Sequence, residues 1–184
     1  MILGFKEFLD TKKQKPTYFK EKILDRHVWT MPFQKLPDDA PYPNGYIMGS
    51  LKFPNKLHTI RADSHDRWKA GRSIQMVYRG AGYKIKDKFN EGIPELEKCV
   101  STQKIKFKWK KKSVSIFIDG TLKCFIKASY DLDIDKVVPE CSYEHQQFIR
   151  TLSMNDGFDH VREFLAWFNK DFTGKIIHWS DLKY

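Results

Sequence analysis

The stretch KIKFKWKKKSVSIFIDGTLKCFI, residues 104–126, is the part of the chain that decides the fold class. It begins with lysines that alternate with Ile, Phe and Trp. Because the side chains of a β-strand point alternately to two faces, one face is predicted to be wet and the other buried. The next apolar run, Ser113–Ile118, meets Asp119-Gly120, a pair typical of two-residue hairpin turns. The chain should therefore return antiparallel through Thr121–Ile126.

Similar alternation predicts further strands, and an apolar spacing of three or four residues predicts helices. The strands are expected at Ile2–Phe5, His58–Arg61, Ser73–Tyr78, Cys99–Trp109 and in GKIIHW at 174–179. The helices are expected in YFKEKIL at 18–24, at Tyr143–Leu152, and from a cap at Asp159 to about Asp171, with Gly174 as the stop. Strands dominate, and strand–helix–strand repetition is missing. We therefore predict an α+β fold, a small, mostly antiparallel β-barrel with flanking helices.

Length and composition indicate one domain, residues 1–184, in which the Pro-rich stretch from His27 to Asn55 forms a long loop insertion. No apolar run approaches the roughly 18 residues of a membrane helix. Charge appears already at Lys6, too early for a secretory signal, so we expect a cytoplasmic protein with no membrane partner. The three widely spaced cysteines predict buried thiols rather than disulfides.

Positive charge is concentrated in one place. The chain has 33 Lys+Arg against 23 Asp+Glu, a net charge of +10, and six lysines lie within residues 104–112. Four of them share the predicted wet face: Lys104, Lys106, Lys108 and Lys110. Such a stripe can attract nucleic-acid phosphates through counterion release, but an edge strand kept in solution by lysine has the same pattern. Both interpretations stay open.

The stretches that resemble metal-binding or cofactor-binding motifs lack residues that those motifs require. RGAG at 79–82 is too short for a dinucleotide fingerprint and predicts a hairpin turn. DLDID at 131–135 begins like a calcium loop, but Lys136 stands where that loop needs Gly and Ser142 where it needs Glu. There is no Walker loop, no G-x-S-x-G and no H-E-x-x-H. We expect no metal and no cofactor.

The most informative segment is NKLHTIRADSHDRWKAGRSIQMVY, residues 55–78. A lysine beside an apolar cavity can lose its proton and act as a base, and a nearby Thr hydroxyl can then attack or orient water. A bulge at the start of the strand would bring Lys56 and Thr59 together, and Arg61 would help to lower the lysine pKa. The alternative is a solvated loop lysine beside an ordinary strand threonine.

This segment resembles the ASCH family of the PUA-like superfamily, which carries K-x-x-T-I-R followed by an acidic loop and an element like RWKAG. The opening ILGFKE and YFKEKIL and the late NDGF and REFLAWFNKDFTGKIIHW match as well, so the resemblance covers most of the chain outside 27–55. It implies a β-barrel with a cleft, similar in fold to RNA-binding modules. Some members are amidohydrolases that deacetylate acetylated cytidine, and some are reported as ribonucleases.

The resemblance also implies roles for individual residues. Lys56 would be the base, Thr59 the nucleophile, and Asp156 of NDGF would take the place of the family's Glu, with a side chain one methylene shorter. The predicted nucleic-acid contacts are Arg61, Lys69 and a stacking Trp68, together with Lys104, Lys106, Lys108 and Lys110.

Arg61, Trp68 and Asp156 have structural alternatives as well. Arg61 can pair with Asp63 or Asp66, Trp68 can belong to the core, and Asp156 can initiate a turn before Gly157. Three functions follow: a module that binds RNA or a modified nucleotide, a hydrolase that deacylates a modified nucleoside or cleaves RNA, and a protein-interaction module.

Overall fold

A computed structural model describes residues 1–6, 8, 16–28, 56–79, 85–111, 113–127 and 142–184 of the chain. In these ranges the strands are β1 (Ile2–Lys6), β2 (His58–Arg61), β3 (Gln75–Arg79), β4 (Ile85–Lys88), β5 (Ser101–Lys110), β6 (Ser113–Ile118), β7 (Thr121–Lys127) and β8 (Phe172–His178). The helices are α1 (Phe19–Val28), α2 (Tyr143–Asn155) and α3 (Val161–Trp167), and a short 3-10 turn covers Pro94–Leu96.

The described strands form two sheets. The five-stranded sheet has the order β2-β8-β5-β6-β7 with antiparallel neighbours throughout. The three-stranded sheet has the order β1-β3-β4, in which β1 runs parallel to β3 and β3 antiparallel to β4. The predicted α+β class with mostly antiparallel strands is therefore confirmed, and the described pairings give two open sheets.

Strand β5 is the longest strand and has the alternation that its sequence predicts. Ile105 and Phe107 are 1% and 0% exposed, while the four alternating lysines from Lys104 to Lys110 are all exposed. Because β5 lies between β8 and β6, the alternative of a lysine-rich edge strand is wrong. These lysines cover one face of the sheet: at Lys104 and Lys106 the strand pairs with β8, whereas Lys108 and Lys110 lie past the end of that pairing and pair with β6.

The hairpin between β6 and β7 is also confirmed. Asp119 and Gly120 have φ values of +50° and +85°, which is the left-handed geometry of a type I′ turn. The Asp119 carboxylate accepts from the Lys104 backbone N–H at 2.8 Å and from the Gln103 amide at 3.1 Å. The turn is thereby anchored to the neighbouring strand β5.

The third helix differs from its prediction at both ends. It begins after His160, because the Asp159 carboxylate accepts from Lys22 at 2.7 Å, and it ends at Trp167 rather than near Asp171. Asp171 instead accepts from the Trp109 N–H at 2.8 Å, which ties it to β5. Gly174 is part of β8, where a Cβ would lie 2.2 Å from the Arg61 carbonyl oxygen. Its role is close strand approach, not helix termination.

A row of aromatic rings in contact connects the helices to the three-stranded sheet. Phe164 packs on Phe158 at 5.5 Å between ring centroids, Phe158 on Phe19 at 5.9 Å, and Phe19 on Phe5 at 6.4 Å. Both Phe5 and Phe164 are 0% exposed. The row of rings ends beside Lys56. Cys99 and Cys124 are buried free thiols, as predicted, and Cys141 lies outside the described residues.

Several sequence predictions fall outside the described residues. The predicted start of the loop insertion at His27 is wrong, because His27 and Val28 belong to α1, and residues 29–55 lie outside. Residues 80–82 of RGAG lie outside too, although the flanking β3 and β4 pair antiparallel as a hairpin requires. The aspartates of 131–135 lie outside as well. Among the helices that the structure describes, none is both long enough and apolar enough to cross a membrane.

Candidate functional site

Lys56 and Asp156, which are separated by 100 residues in sequence, form a buried ion pair. The Lys56 ammonium lies 2.8 Å from Asp156 Oδ1 and also donates to the Asp156 backbone carbonyl. The two residues are 2% and 4% exposed. The shorter Asp side chain therefore does reach the lysine in this chain.

The end of α2 places the Asp156 carboxylate. Gly157, at φ +88°, donates its N–H to the Met154 carbonyl at 2.8 Å, and Phe158 donates to Ser153 at 3.0 Å. These two bonds define a Schellman motif, in which a glycine in the left-handed region ends the helix. Asp156 is the last residue before that glycine, so its turn-forming role and its contact with Lys56 occur together.

Two lysines neutralise the carbonyl end of α2. Lys56 bonds to the carbonyl of Asp156, and Lys22, only 1% exposed, donates to the Gly157 carbonyl at 2.8 Å. Cations are stabilising there because the C-terminus of a helix carries a partial negative charge. Nothing in the sequence singles out Lys22, since a lysine in an amphipathic helix is ordinarily solvated.

Burial sets the protonation of this pair. Loss of solvent lowers the pKa of Lys56 to about 8, against the opposing attraction of Asp156 and with help from the charges of Arg61 and Lys22. Burial also raises the pKa of the Asp156 carboxyl, although Lys56 opposes that rise. An amine with a pKa near 8 exchanges its proton close to neutral pH, which an ordinary lysine does not.

Aromatic rings close one side of the lysine. Its ammonium lies 4.5 Å from the Phe19 ring centroid and 5.8 Å from that of Phe5. The Arg61 guanidinium lies 5.4 Å from the same Phe5 centroid and donates to the Gly4 carbonyl at 2.7 Å. Lys56 and Arg61 therefore converge on Phe5.

Strand β2 supplies the remaining predicted residues. Its outer edge is covered by the end of α2, because Leu57 N–H donates to the Asn155 carbonyl at 2.8 Å and Ile60 N–H to Asp156 Oδ1 at 3.3 Å. Thr59 is 3% exposed and pairs with Ile177 of β8. The three predicted catalytic residues are thus all buried around the start of β2, and Lys56 and Asp156 are in direct contact.

A second polar cluster lies behind this pair and was not predicted. Asn155 donates to the Tyr184 hydroxyl at 2.9 Å, and that hydroxyl lies 2.7 Å from His58 Nε2. Burial raises the pKa of the Tyr184 hydroxyl, so the hydroxyl keeps its proton and shares a hydrogen bond with His58 Nε2. The other ring nitrogen, Nδ1, lies 3.8 Å from Asp156 Oδ1.

His178 completes the second cluster. Its ring centroid is 5.4 Å from that of His58, and both histidines are 0% exposed. Burial lowers the pKa of His178 to about 4 and holds that of His58 well below its ordinary value. No sequence motif could have found this cluster, because its members come from β2, β8, α2 and the C-terminal segment.

The predicted stacking role of Trp68 does not fit its position. Trp68 is 4% exposed and belongs to the hydrophobic core, so its ring has no open face on which a base could stack. Its loop is fixed by Lys175, whose ammonium lies 3.4 Å from Asp63 Oδ2 and also bonds to Asp66 and to the Trp68 carbonyl. The structural alternative predicted from sequence pairs Asp63 or Asp66 with Arg61 instead.

The other predicted nucleic-acid contacts are open to solvent, except Arg61, which is half-buried. Lys69 has a side chain that is 59% exposed and lies 3.4 Å from Asp66. On β5, Lys108 lies 2.8 Å from Asp171, with 49% of its side chain exposed. The lysine stripe and the buried Lys56 site therefore present two different kinds of positive charge.

Comparisons with protein-family models, with curated proteins and with solved structures found no match for this chain. Within the described ranges, no three His, Cys, Asp or Glu side chains come together as a metal site would require.

Proposed function

We propose that this protein is a nucleic-acid-interacting module of the ASCH type, with a PUA-like barrel arrangement of its two sheets. The observation that carries the proposal is the exposure of Lys104, Lys106, Lys108 and Lys110 on one face of β5. Because β5 lies between β8 and β6, it is not an edge strand that lysines would have to protect, although its β8 pairing ends at Phe107, before Lys108 and Lys110.

Affinity from such a face depends on salt. Each lysine that neutralises a phosphate releases a counterion. The logarithm of the binding constant therefore falls linearly with the logarithm of the salt concentration, with a slope of about 0.7 per neutralised phosphate on single strands. Lys108 meets one acidic neighbour, Asp171, which a phosphate would have to replace or share.

The test is RNA binding by fluorescence anisotropy over a range of salt concentrations. Wild type should bind more weakly as the salt concentration rises. Exchange of Lys106, Lys108 and Lys110 for Glu should reduce the steepness of this salt dependence by about 2 in the slope of log K against log salt. A matched control exchanges three exposed lysines elsewhere, Lys88, Lys98 and Lys183, for Glu. Each set changes the net charge from +10 to +4, because every exchange of Lys for Glu lowers the net charge by two units. Equal loss in both sets, or binding that ignores salt, would contradict the proposal.

The buried Lys56–Asp156 pair favours a second candidate, hydrolysis of an acyl group from the exocyclic amine of a modified cytidine. In this reaction Lys56 takes a proton from Thr59 or from a water that Thr59 orients. The oxygen adds to the acyl carbon, the C–N bond breaks, and the proton passes to the leaving amine. Where Thr59 is the nucleophile, a water then hydrolyses the Thr59 ester, which releases the carboxylic acid and restores the hydroxyl. A lysine pKa of about 8 suits it for this exchange. Because Lys56 is 2% exposed, the substrate must displace covering side chains such as Phe19.

Acetylated cytidine incubated with the protein and followed by chromatography tests this candidate. Turnover should rise with pH through about 8 as Lys56 loses its proton, and Lys56→Met should abolish it. Lys22→Met is the matched control, because Lys22 is equally buried at the same helix end but bonds to Gly157 and Asp159 instead. Absence of turnover by wild type, or equal loss in the two folded variants, would remove the hydrolase from consideration.

A further inference from the structure

The lysine face of β5 continues across β6 and β7. Residues that pair directly across antiparallel strands lie on the same face of the sheet. Lys106 pairs with Phe117 of β6, which pairs with Leu122 of β7. One row further along, Lys108 pairs with Ser115, which pairs with Phe125. Three strands thus build one continuous surface of lysine and apolar side chains.

The apolar side chains of this surface are open to solvent. Phe125 is 39% exposed, Leu122 is 50% exposed, and Phe117 is partly exposed. Their strand neighbours Ile116 and Cys124 are both 0% exposed, because they point into the core on the opposite face. Large apolar groups gathered on one exposed surface are typical of binding sites.

We propose that this surface of Lys106, Lys108, Lys110, Phe117 and Phe125 is a stacking platform for single-stranded nucleic acid. The inference rests on the proposed nucleic-acid function and specifies its ligand. Lysines along β5 recur about every 6.8 Å, two residues apart, and adjacent strands are about 4.8 Å apart. A backbone that follows the lysines of β5 therefore places its bases over the rings of β6 and β7.

The two kinds of side chain select the ligand. Lysines attract phosphates, and phenylalanine rings stack with the faces of bases, which gives affinity without a sequence preference. In a duplex those base faces are already stacked on one another, so only an unpaired strand can use both. Opposite charge makes a polyanion the fitting occupant, whereas a protein partner without excess negative charge would offer these lysines no anionic groups.

The test combines variants of the rings with probes that lack bases. The probes are a short oligouridine, an abasic oligomer of the same length and a duplex of the same length. Phe117→Thr with Phe125→Thr keeps β-forming side chains and should weaken oligouridine binding by roughly 5- to 150-fold per stacked base. Tyr143→Ala on α2, where the side chain is 73% exposed, is the matched control and should leave binding unchanged. Circular dichroism identifies any variant that fails to fold, and Phe125→Tyr, which keeps a ring, should retain binding.

The outcomes separate this inference from the proposed function. If rings hold bases, wild type should prefer oligouridine to the abasic oligomer, and the double variant should bind the two equally. Salt-sensitive binding with no loss in the double variant, or equal binding of duplex and single strand, would overturn the platform and leave the nucleic-acid function standing. Absence of binding to every probe would overturn both the platform and the nucleic-acid function. Binding of a protein to this surface in place of the oligomers would overturn single-stranded nucleic acid as its ligand.

Discussion

Lys56 and Asp156 each need the other, because both lie in the protein interior with almost no access to water. An isolated buried charge is costly, and a buried pair recovers that cost only while both partners remain. The same lysine also bonds to the carbonyl end of α2. Its loss therefore leaves a carboxylate and a helix terminus without a cation.

We predict that Lys56→Met lowers the free energy of unfolding by about 3–5 kcal/mol, since it leaves Asp156 buried without its partner. Asp156→Asn should also destabilise. The double variant should lose less than the sum of the two single variants, because the second change removes the charge that the first one isolates. Urea unfolding monitored by tryptophan fluorescence measures all three. Additive losses would mean that the two groups do not interact.

At the scale of an element, the end of α2 is held by a glycine that also leaves room for the lysine. A Cβ on Gly157 would lie 3.0 Å from Lys56 Cδ and 3.1 Å from the Phe19 ring. Both its positive φ of +88° and this crowding oppose any larger residue. The glycine thus links the geometry of the helix end to that of the site.

We predict that Gly157→Ala destabilises the protein by more than Gly71→Ala does. Gly71 has a similar φ of +80°, but a Cβ there would meet nothing within 4 Å. The backbone strain of about 1–2 kcal/mol is then common to both, and crowding adds about 1–3 kcal/mol at Gly157 alone. Thermal unfolding of the two variants gives the comparison. Equal shifts would show that Lys56 and Phe19 move aside without cost.

Strands and helices are predictable from sequence where neighbouring residues determine them, and less so where distant contacts do. Strands β5, β6 and β7 follow from alternation and from one Asp-Gly turn, both of which lie within residues 104–126. Strand β4, with the sequence IKDK, has no alternation that would predict it, because it is short and mostly charged. The predicted end of α3 near Asp171 is wrong, since the role of Asp171 depends on the distant Trp109 N–H.

The same reasoning explains the site. Lys56, Thr59 and Asp156 were named through a family resemblance, because no local rule connects residues that are 100 positions apart. Lys22, His178 and Tyr184 have no sequence signal at all. Their contacts arise only when α1, β8 and the C-terminal segment pack against the end of α2 and strand β2.

For the whole molecule, the two buried histidines connect folding to pH. In the folded protein His178 and His58 hold pKa values below the ordinary 6.5, His178 at about 4, because burial opposes their charged forms. Below pH 6.5 the unfolded chain binds protons that the folded chain does not, so stability falls as the solution becomes more acidic. Asp156 acts in the opposite direction at the acidic end of this range, since its folded pKa is raised above 3.8.

We predict that the free energy of unfolding falls as pH decreases from 6.5 toward about 4, with each histidine contributing up to about 1.4 kcal/mol per pH unit.

His178→Phe should flatten this dependence of stability on pH. Neither ring nitrogen of His178 has a hydrogen-bond partner within the described chain, so an apolar ring should leave stability at neutral pH equal or higher. His65→Gln, at an exposed position, should leave the profile unchanged. Urea unfolding at a series of pH values measures the slopes. The phenylalanine ring cannot be protonated. If the pH dependence of His178→Phe equals that of wild type, the acid destabilisation therefore arises from groups other than His178.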